Sequence, residues 1–260
     1  MLLTIDIGNT HITVGVFDGD EVAATFRLMT KKPRTADEYG MTICGLLERN
    51  EIQARQITDV IIASVVPNVM YSLRSTCVRY FHVEPIIVEA GIRTGIRVAV
   101  KNPRVVGADR IVDAAAAYSI YGGPVIVADF GTATTYDYID RSGAFLSGVT
   151  APGVQSSAEA LWSLTAKLPE FEIVKPDSIL AQDTTTSMQA GVFYGQIGAT
   201  EYIINHMKDE IGEPDIKVVA TGGLGRLISA QTDVIDIYDA MLTLKGMHLI
   251  YEKQDRIRNK

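Results

Sequence analysis

The sequence predicts an α/β protein built from two similar lobes. Continuous apolar, β-branched runs, of which residues 60–65 are the clearest, are typical of strands covered on both faces, and helical segments alternate with them. The chain also begins twice in the same way, at residues 2–28 and at 125–149: an apolar strand, an aspartate–glycine turn, a β-rich strand, a polar turn and a third strand. This duplication indicates two lobes, which we place at 1–118 and 119–260, because solenoid repeats are only about 20–50 residues long.

The first lobe is expected to open with an antiparallel meander and to continue with alternating helices and strands. Turn chemistry at Asp6–Thr10 and at Asp18–Asp20 separates the first three strands. Thr35 and Glu38 have the spacing of a capping box, which predicts a helix that ends near Asn50. The elements that follow are a strand at 60–65, a helix from Pro67 to about Tyr80, a strand at 85–88, an irregular segment at 91–103 and a helix from about Ala108 to Gly122.

The second lobe restarts after Pro124 with the same order of elements. Asp129–Thr132 and Arg141–Gly143 are its first two turns. The predicted elements are strands at 125–128, 134–139, 144–149 and 217–220, and helices at about 154–161, 185–211 and 239–251. Lys217 to Ala220 is followed by a third glycine turn, Thr221–Gly223.

Composition excludes several classes of protein. The net charge is −7, with 24 Lys+Arg against 31 Asp+Glu, and an acidic chain is a poor candidate for backbone-driven nucleic-acid binding. No apolar run reaches the roughly 18 residues that a membrane span needs, and the start of the chain lacks the basic region of a signal peptide. Cys44 and Cys77 form neither a C-x-x-C pair nor a zinc-like cluster, so we expect two buried thiols in a reducing compartment. Together these observations predict a cytoplasmic protein without nucleic-acid or membrane partners.

The paired turns have the chemistry of a phosphate site. Glycine lets the backbone approach a ligand closely, and several amides at the end of a strand can cradle phosphate oxygens. A carboxylate among phosphates needs an intervening cation, so Asp6 and Asp129 are expected to face a metal ion. The alternative is that each aspartate only bonds its own turn backbone. The third turn, at Gly222–Gly223, favours the phosphate interpretation because it offers a flat surface for a nucleoside.

Other nucleotide motifs do not fit the chain. The P-loop pattern G-x-x-x-x-G-K-[ST] does not occur. Gly223 and Gly225 begin a pattern like the dinucleotide fingerprint, but Ile228 occupies the place of its last glycine. The sequence also lacks the H-E-x-x-H and G-x-S-x-G motifs.

A second group of candidate residues lies at a predicted helix start, Gly107–Arg110. Asp109 should stay ionised near a helix N-terminus, and Arg110 can pair with a carboxylate or a phosphate. The alternative is an ordinary first-turn acid beside a solvated arginine. The irregular approach at 91–103 favours a functional segment, because loops of this length are often functional.

Five motifs in one order resemble those of type III pantothenate kinases, members of the acetate and sugar kinase, heat-shock chaperone and actin superfamily. The motifs are D-I-G-N-T at 6–10, G-A-D-R at 107–110, D-F-G-T-A-T at 129–134, A-P-G at 151–153 and A-T-G-G at 220–223. The resemblance covers essentially the whole chain. It implies two ribonuclease-H-like lobes of the actin-like ATPase type, with mixed sheets flanked by helices, and a homodimer. It also implies ATP-dependent phosphorylation of pantothenate, the first step towards coenzyme A, with magnesium and a monovalent cation such as potassium or ammonium.

The same resemblance implies roles for individual residues. Asp109 would be the general base for the pantothenate hydroxyl, Asp6 would lie near magnesium and Asp129 would bind the monovalent cation. The residues implied to contact ATP are Asp6, Ile7, Gly8, Asn9, Thr10, His11, Ile12, Thr13, Thr132, Gly222 and Gly223. The residues implied to contact pantothenate are Gly107, Ala108, Asp109, Arg110, Thr184 and the position of Val100.

One departure from the family pattern concerns substrate contacts. Val100 precedes Lys101-Asn102-Pro103, where the family usually has a tyrosine, so either the pocket is remodelled or another residue supplies that contact.

Two other functions stay open. A sister sugar kinase or exopolyphosphatase would share the phosphate turns without needing G-A-D-R, and a nucleotide-binding transcription accessory protein would need no general base such as Asp109.

Overall fold

The chain folds as an α/β protein with two mixed sheets flanked by helices, as predicted. The structure, a computed structural model, describes residues 1–30, 34–89 and 91–258. Its strands are β1 (Leu2–Ile7), β2 (His11–Asp18), β3 (Glu21–Met29), β4 (Asp59–Ser64), β5 (Ile86–Ile87), β6 (Arg97–Val98), β7 (Val125–Phe130), β8 (Ala133–Ile139), β9 (Ala144–Pro152), β10 (Lys217–Thr221) and β11 (Ile237–Tyr238). Its helices are α1 (Ala36–Arg49), α2 (Pro67–Thr76), α3 (Ala108–Tyr121), α4 (Val154–Ser163), α5 (Thr184–Ile211), α6 (Gly225–Ser229) and α7 (Leu242–Arg258).

The first sheet has the order β3-β2-β1-β4-β5, with β1 at its centre. Its neighbours run in opposite directions, since β1 pairs antiparallel with β2 and parallel with β4. The capping box of Thr35 and Glu38 at the start of α1 is confirmed. Alternate residues of β1, β2 and β4 form a hydrophobic core with α1 and α2, for example Ile5, Val14 and Ile43.

The second sheet repeats this order around β7 as β9-β8-β7-β10-β11, with β6 added beside β9. β7 pairs antiparallel with β8 and parallel with β10, as β1 does with β2 and β4. Ile126, Ala128 and Phe130 face a core that includes residues of α4 and α5. The predicted duplication is therefore confirmed in strand order and strand direction.

Contacts divide the chain differently from the lobes 1–118 and 119–260 expected from the sequence. Unit 1 comprises Met1–Arg97, Lys101–Ala116 and the chain from Leu242 onwards, and unit 2 comprises Val98–Val100 and Ala117–Met241. The closing helix α7 joins unit 1 because it packs on β1, β2 and β4. The short segment after β6 joins unit 2, where the Ala99 amide donates to the Phe145 carbonyl at 2.9 Å.

Small residues allow α7 to approach unit 1 closely. A Cβ added to Gly15 of β2 would lie 2.7 Å from Thr4 Oγ1 and 2.9 Å from a methyl carbon of Leu244. A Cβ added to Gly246 of α7 would press on the Val112 carbonyl of α3. The missing side chains thus determine how near α7 lies to the strands and to α3.

Local sequence patterns missed the shortest elements and some helix ends. The strands β6 and β11 have two residues each and α6 has five, which is too short for a periodic pattern. The helix from Pro67 ends at Thr76 and continues as a π-helical turn at Cys77–Phe81. In the part of the chain that the structure describes, no helix is both long enough and apolar enough to cross a bilayer.

The packing at Gly246 leads to a stability prediction. Gly246→Ala should destabilise the protein by about 1–3 kcal/mol, because the new methyl group overpacks a contact with α3 backbone. Gly45→Ala is the matched control, because a Cβ at Gly45 in α1 meets nothing within 4 Å. That change should stabilise by about 0.5–1 kcal/mol through helix propensity. Thermal melts of both variants measure the two shifts, and equal shifts would contradict this account of the packing.

Candidate active site

The first phosphate-type turn joins β1 to β2 at the carboxyl end of the central strand. The Gly8 amide donates to the His11 carbonyl at 3.0 Å and closes the turn. Thr30, after β3, holds it from outside: its hydroxyl donates to the Gly8 carbonyl at 2.8 Å and its amide to the Thr10 carbonyl at 3.0 Å. The side chains of Asn9 and His11 are exposed. The turn therefore has a fixed backbone with two polar side chains toward solvent.

Asp6 lies one residue before the end of β1 and is half-buried. It is in register with Thr13 on β2 and with Ala63 on β4. Residues in register share a face of the sheet, so the hydroxyl of Thr13 lies on the same face as the Asp6 carboxylate. Ile7 and Ile12 have fully buried side chains in the core, so only their main-chain atoms are available to a ligand.

The start of α3 lies beside this turn in unit 1. A Cβ on Gly107 would be 3.3 Å from a methyl carbon of Val65, directly after β4. The Val65 amide in turn donates to the carbonyl of Ile7 in the first turn at 3.1 Å. Contacts within one unit thus bring the G-A-D-R motif to the strand end that bears Asp6. Val65 is a residue that sequence reasoning did not select, because an apolar residue after a strand carries no signal for this contact.

Asp109 is a half-buried carboxyl in the first turn of α3. Burial raises the pKa of Asp109 above its ordinary value, while the Arg110 amide and guanidinium oppose that rise. The Arg110 amide donates to Asp109 Oδ1 at 2.8 Å, so the carboxylate is held in one orientation. A carboxyl with a raised pKa next to a ligand-type turn has the properties of a general base.

The second turn, after β7, resembles the first but is one residue shorter. Asp129 is in register with Thr135 on β8 and with Thr221 on β10, as Asp6 is with Thr13 and Ala63. The Gly131 amide donates to the Ala133 carbonyl at 3.2 Å, the counterpart of the bond that closes the first turn. The buried Thr135 hydroxyl oxygen has no hydrogen-bond partner. An oxygen-only set of this kind suits a hard cation.

The third turn, after β10, lies against Asp129. Gly222 has a φ of +90°, and a Cβ there would be 2.5 Å from Asp129 Oδ1 and 2.6 Å from the Phe130 backbone. The Tyr238 hydroxyl donates to the Gly222 carbonyl at 3.1 Å. A Cβ on Gly223 would meet nothing within 4 Å, so this residue leaves open space where a planar ligand can lie. Glycine is required at position 222 by both conformation and space.

The turn between β7 and β8 also packs against the start of α4. The Ser156 hydroxyl donates to the Thr132 carbonyl at 2.7 Å, and a Cβ on Gly153 would be 2.5 Å from the Gly131 carbonyl. The side chain of Thr132 is exposed. This contact explains why the A-P-G motif accompanies the second turn: a side chain at Gly153 would displace the turn.

Two predicted substrate residues lie elsewhere in unit 2. Thr184 is exposed in the first turn of α5, whose N-cap Asp183 accepts from the Thr186 amide at 3.0 Å. Val100 is half-buried and belongs to the short segment beside β9. Their contact with substrate stays a prediction.

Solved structures with low sequence identity share this fold. A Campylobacter jejuni protein assigned to the Baf family of transcriptional activators matches with a TM-score of 0.61, 22% identity and coverage of 98% of this chain and 99% of that one. A Sinorhizobium meliloti protein assigned as a 2-dehydro-3-deoxygalactonokinase matches with a TM-score of 0.59, 13% identity and coverage of 97% and 96%. At these identities the matches concern the fold alone.

Sequence relatives are much closer. A type III pantothenate kinase from Agathobacter rectalis is 62% identical over 256 residues, which is 98% of each chain. One from Bifidobacterium longum subsp. infantis is 47% identical over 253 residues, covering 97% of this chain and 99% of the relative. The family model for type III pantothenate kinase matches residues 2–206. The chain therefore belongs to the type III pantothenate kinase family.

Proposed function

We propose that this protein transfers the γ-phosphoryl group of ATP to the hydroxyl of pantothenate, the first step of coenzyme A synthesis. One observation carries the proposal beyond family membership. The G-A-D-R motif, which a phosphate-binding fold alone does not need, packs through Gly107 on Val65 beside the turn that bears Asp6. An acceptor base and a phosphate turn therefore occupy the same strand end of unit 1.

The nucleotide would be held by main-chain groups at the strand ends. The Asn9 and Thr10 amides of the first turn and the Thr132 side chain would contact phosphate oxygens, whereas the Gly8 amide closes the turn by donating to the His11 carbonyl. Gly222 and Gly223 would carry the adenosine, because the turn is flat and open above Gly223. Glycine turns closed by hydrogen bonds are already rigid, so little ordering is needed when ATP binds.

Asp6 would hold magnesium. Its half-buried carboxylate at the strand end beside a glycine turn fits a hard cation that prefers oxygen ligands. When bound, magnesium supplies charge neutralisation for the transferring phosphoryl group. The Asp6 carboxylate would orient the nucleotide tail toward Asp109.

Asp129 would hold the monovalent cation. The Asp129 carboxylate and the hydroxyl of Thr135 share one face of the sheet, so both would contribute oxygens to one ion. The contact between Asp129 and Gly222 would make the position of the nucleoside turn depend on that ion.

Asp109 would accept the proton of the pantothenate hydroxyl while the hydroxyl oxygen attacks the γ-phosphorus of ATP and ADP leaves. Phosphoryl transfer passes through a loose transition state, so positioning and charge neutralisation provide most of the catalysis and a base adds about 10²–10⁴-fold. Arg110 would bind the substrate carboxylate or a phosphate oxygen, with Gly107, Ala108 and Thr184 completing the pocket. Val100 would line it where the family usually has a tyrosine.

The homodimer and the cytoplasmic location are part of the same proposal and rest on the family resemblance. Exposed large apolar side chains in unit 2, such as Tyr202 on α5 and Leu180 before it, would be partly covered in a dimer. Sedimentation equilibrium measures the oligomeric state directly.

A coupled ADP-release assay tests the proposed reaction. With ATP, magnesium and potassium, pantothenate should stimulate ADP release, whereas a panel of small sugars and polyphosphate should not. Release with a sugar alone would indicate the sister sugar kinase. Binding of ATP without turnover on any acceptor would indicate a nucleotide-binding regulator.

Asp109→Asn should lower kcat/KM for pantothenate by about 10²–10⁴-fold with the fold retained. In the wild type, kcat/KM should fall on the acid side with an apparent pKa above that of an ordinary aspartate, because burial raises the pKa of Asp109. The matched control is Asp37→Asn, which changes an exposed acid in the first turn of α1. If both variants turn over like the wild type, Asp109 is an ordinary helix acid and the mechanism is wrong.

The same substitution gives a readout independent of turnover. A carboxyl whose pKa is raised on folding destabilises the protein when ionised, fully above its folded pKa and not at all below its unfolded pKa. Asp109→Asn should therefore raise the melting temperature at neutral pH, and this gain should disappear as the pH falls through the acidic range. A gain that does not depend on pH would contradict the raised pKa of Asp109.

Replacing potassium by sodium should slow the wild-type enzyme, and Asp129→Ala should abolish that difference because the carboxylate that selects the ion is gone. Asp177→Ala, which removes an exposed carboxylate of the same unit, is the control and should keep the ion preference. Initial rates in the two salts at equal ionic strength measure the ratio. An unchanged ratio in Asp129→Ala would refute the cation assignment.

Neighbouring glycines separate folding from nucleotide contact. Gly222→Ala should lower both the melting temperature and ATP affinity, because its Cβ would displace Asp129 and the Phe130 backbone. Gly223→Ala should leave the melting temperature unchanged and weaken ATP binding alone, because its Cβ would enter the space assigned to adenosine. Calorimetric titration with a non-hydrolysable ATP analogue measures the affinities. If the Gly223→Ala variant bound the ATP analogue with wild-type affinity, the assignment of adenosine to this surface would be wrong.

A further inference from the structure

A cavity of about 270 Å³ lies in unit 1 at the end of the sheet opposite to Asp6. It is lined by Leu2 and Asp59, the first residues of β1 and β4, and by residues of α7 and of the turn between β2 and β3. The first phosphate-type turn follows the other end of β1. The cavity is therefore separate from the proposed active site, and nothing in the kinase mechanism uses it.

Three potential metal ligands converge at this cavity. One ligand atom each of Asp20, His248 and Glu252 lies within 4.8 Å of the other two. Asp20 belongs to the β2–β3 turn, whereas His248 and Glu252 are four residues apart on α7 and so project from the same helix face. The group joins two elements that are distant in sequence.

The imidazole of His248 is held in position by packing. It stacks on Phe17, with ring centroids 4.6 Å apart and an angle of 19° between the planes. Its Nε2 lies 4.0 Å from Asp20 Oδ1, too far for a hydrogen bond. The His248 side chain is only 13% exposed, while that of Asp20 is 90% exposed and can move toward it. A packed nitrogen ligand thus faces a solvent-exposed carboxylate.

We propose that Asp20, His248 and Glu252 form a binding site for a transition-metal dication of the zinc type. One imidazole and two carboxylates are ligands that zinc prefers over magnesium, which is bound mainly by oxygen. Tetrahedral zinc with ligand bonds near 2.1 Å separates its ligands by about 3.4 Å, so spacings of up to 4.8 Å must contract by up to about 1.4 Å. Rotation of the exposed Asp20 side chain supplies that movement, and a water completes the coordination.

The bound ion would fasten α7 to the β2–β3 turn. A metal that binds only the folded state stabilises it in proportion to the logarithm of metal concentration over Kd. The carboxylates of Asp59 and Asp255, which also line the cavity, would strengthen attraction for a dication. All of these residues lie in unit 1, and the metal site has no role in the proposed kinase reaction.

Calorimetric titration of the tag-free, chelator-treated full chain with zinc chloride, in the presence of excess magnesium, tests this site. We expect one zinc ion per chain and a zinc-dependent rise in melting temperature. Asp20→Asn and Glu252→Gln should each weaken zinc binding by at least about tenfold, since even loss of an outer-shell partner costs about 10–100-fold. Asp18→Asn is the matched control, because it removes the same charge from an exposed carboxylate near the turn.

The outcomes separate a built site from nonspecific binding. Loss of affinity in Asp20→Asn and Glu252→Gln, with Asp18→Asn like the wild type, supports the proposal. Equal zinc affinity in all four proteins would mean that zinc binds elsewhere, and the proposal fails. Absence of a zinc-dependent melting shift in the wild type would overturn it as well. His248→Gln adds a check, because its melting temperature without zinc reports any loss of the Phe17 stacking separately.

Discussion

The fold of each unit depends on one constraint, which is the change of strand direction around its central strand, β1 in the first sheet and β7 in the second. Each central strand pairs antiparallel with the strand that follows it and parallel with the strand on its other side. The turn after the central strand therefore lies beside the carboxyl end of the parallel neighbour. Ligands bind where such strand orders diverge, because strand ends leave backbone amides free there. In unit 1 the parallel neighbour β4 is followed by Val65, which packs against Gly107. In unit 2 the parallel neighbour β10 is followed by Gly222. The same topology thus brings the G-A-D-R motif to one turn and the Gly222 turn to the other.

The same strand ends also contain locally unfavourable features. Asp109 has a raised pKa through burial, Gly222 has a left-handed backbone conformation, and Thr135 has a buried hydroxyl without a partner. Each feature lowers stability relative to an apolar, regular alternative, and such features are expected where function requires them. The hydrophobic cores of the two units consist mainly of alternating buried apolar side chains.

Much of the fold and of the candidate site was predictable because it is encoded locally. The duplicated strand–turn–strand pattern, the capping box at Thr35 and the glycine turns depend on residues close together in sequence. Contacts between distant segments were not predictable: Val65 with Gly107, or α7 with the sheet through Gly15, leave no periodic signal. Thr135 looked like any β-branched strand residue, and its unpartnered hydroxyl is visible only once β7 and β8 are in register. The cluster of Asp20, His248 and Glu252 was not predictable either, because it joins a turn and a helix that are distant in sequence.

The central claim of the proposed function is that the turn after β1 holds the ATP phosphates beside the general base Asp109. A crystal structure of the chain with magnesium, pantothenate and a non-hydrolysable ATP analogue measures this most directly. We expect phosphate oxygens within hydrogen-bond distance of the Asn9 and Thr10 amides, with the pantothenate hydroxyl beside Asp109. A nucleotide bound away from this turn, or an acceptor hydroxyl remote from Asp109, would contradict it.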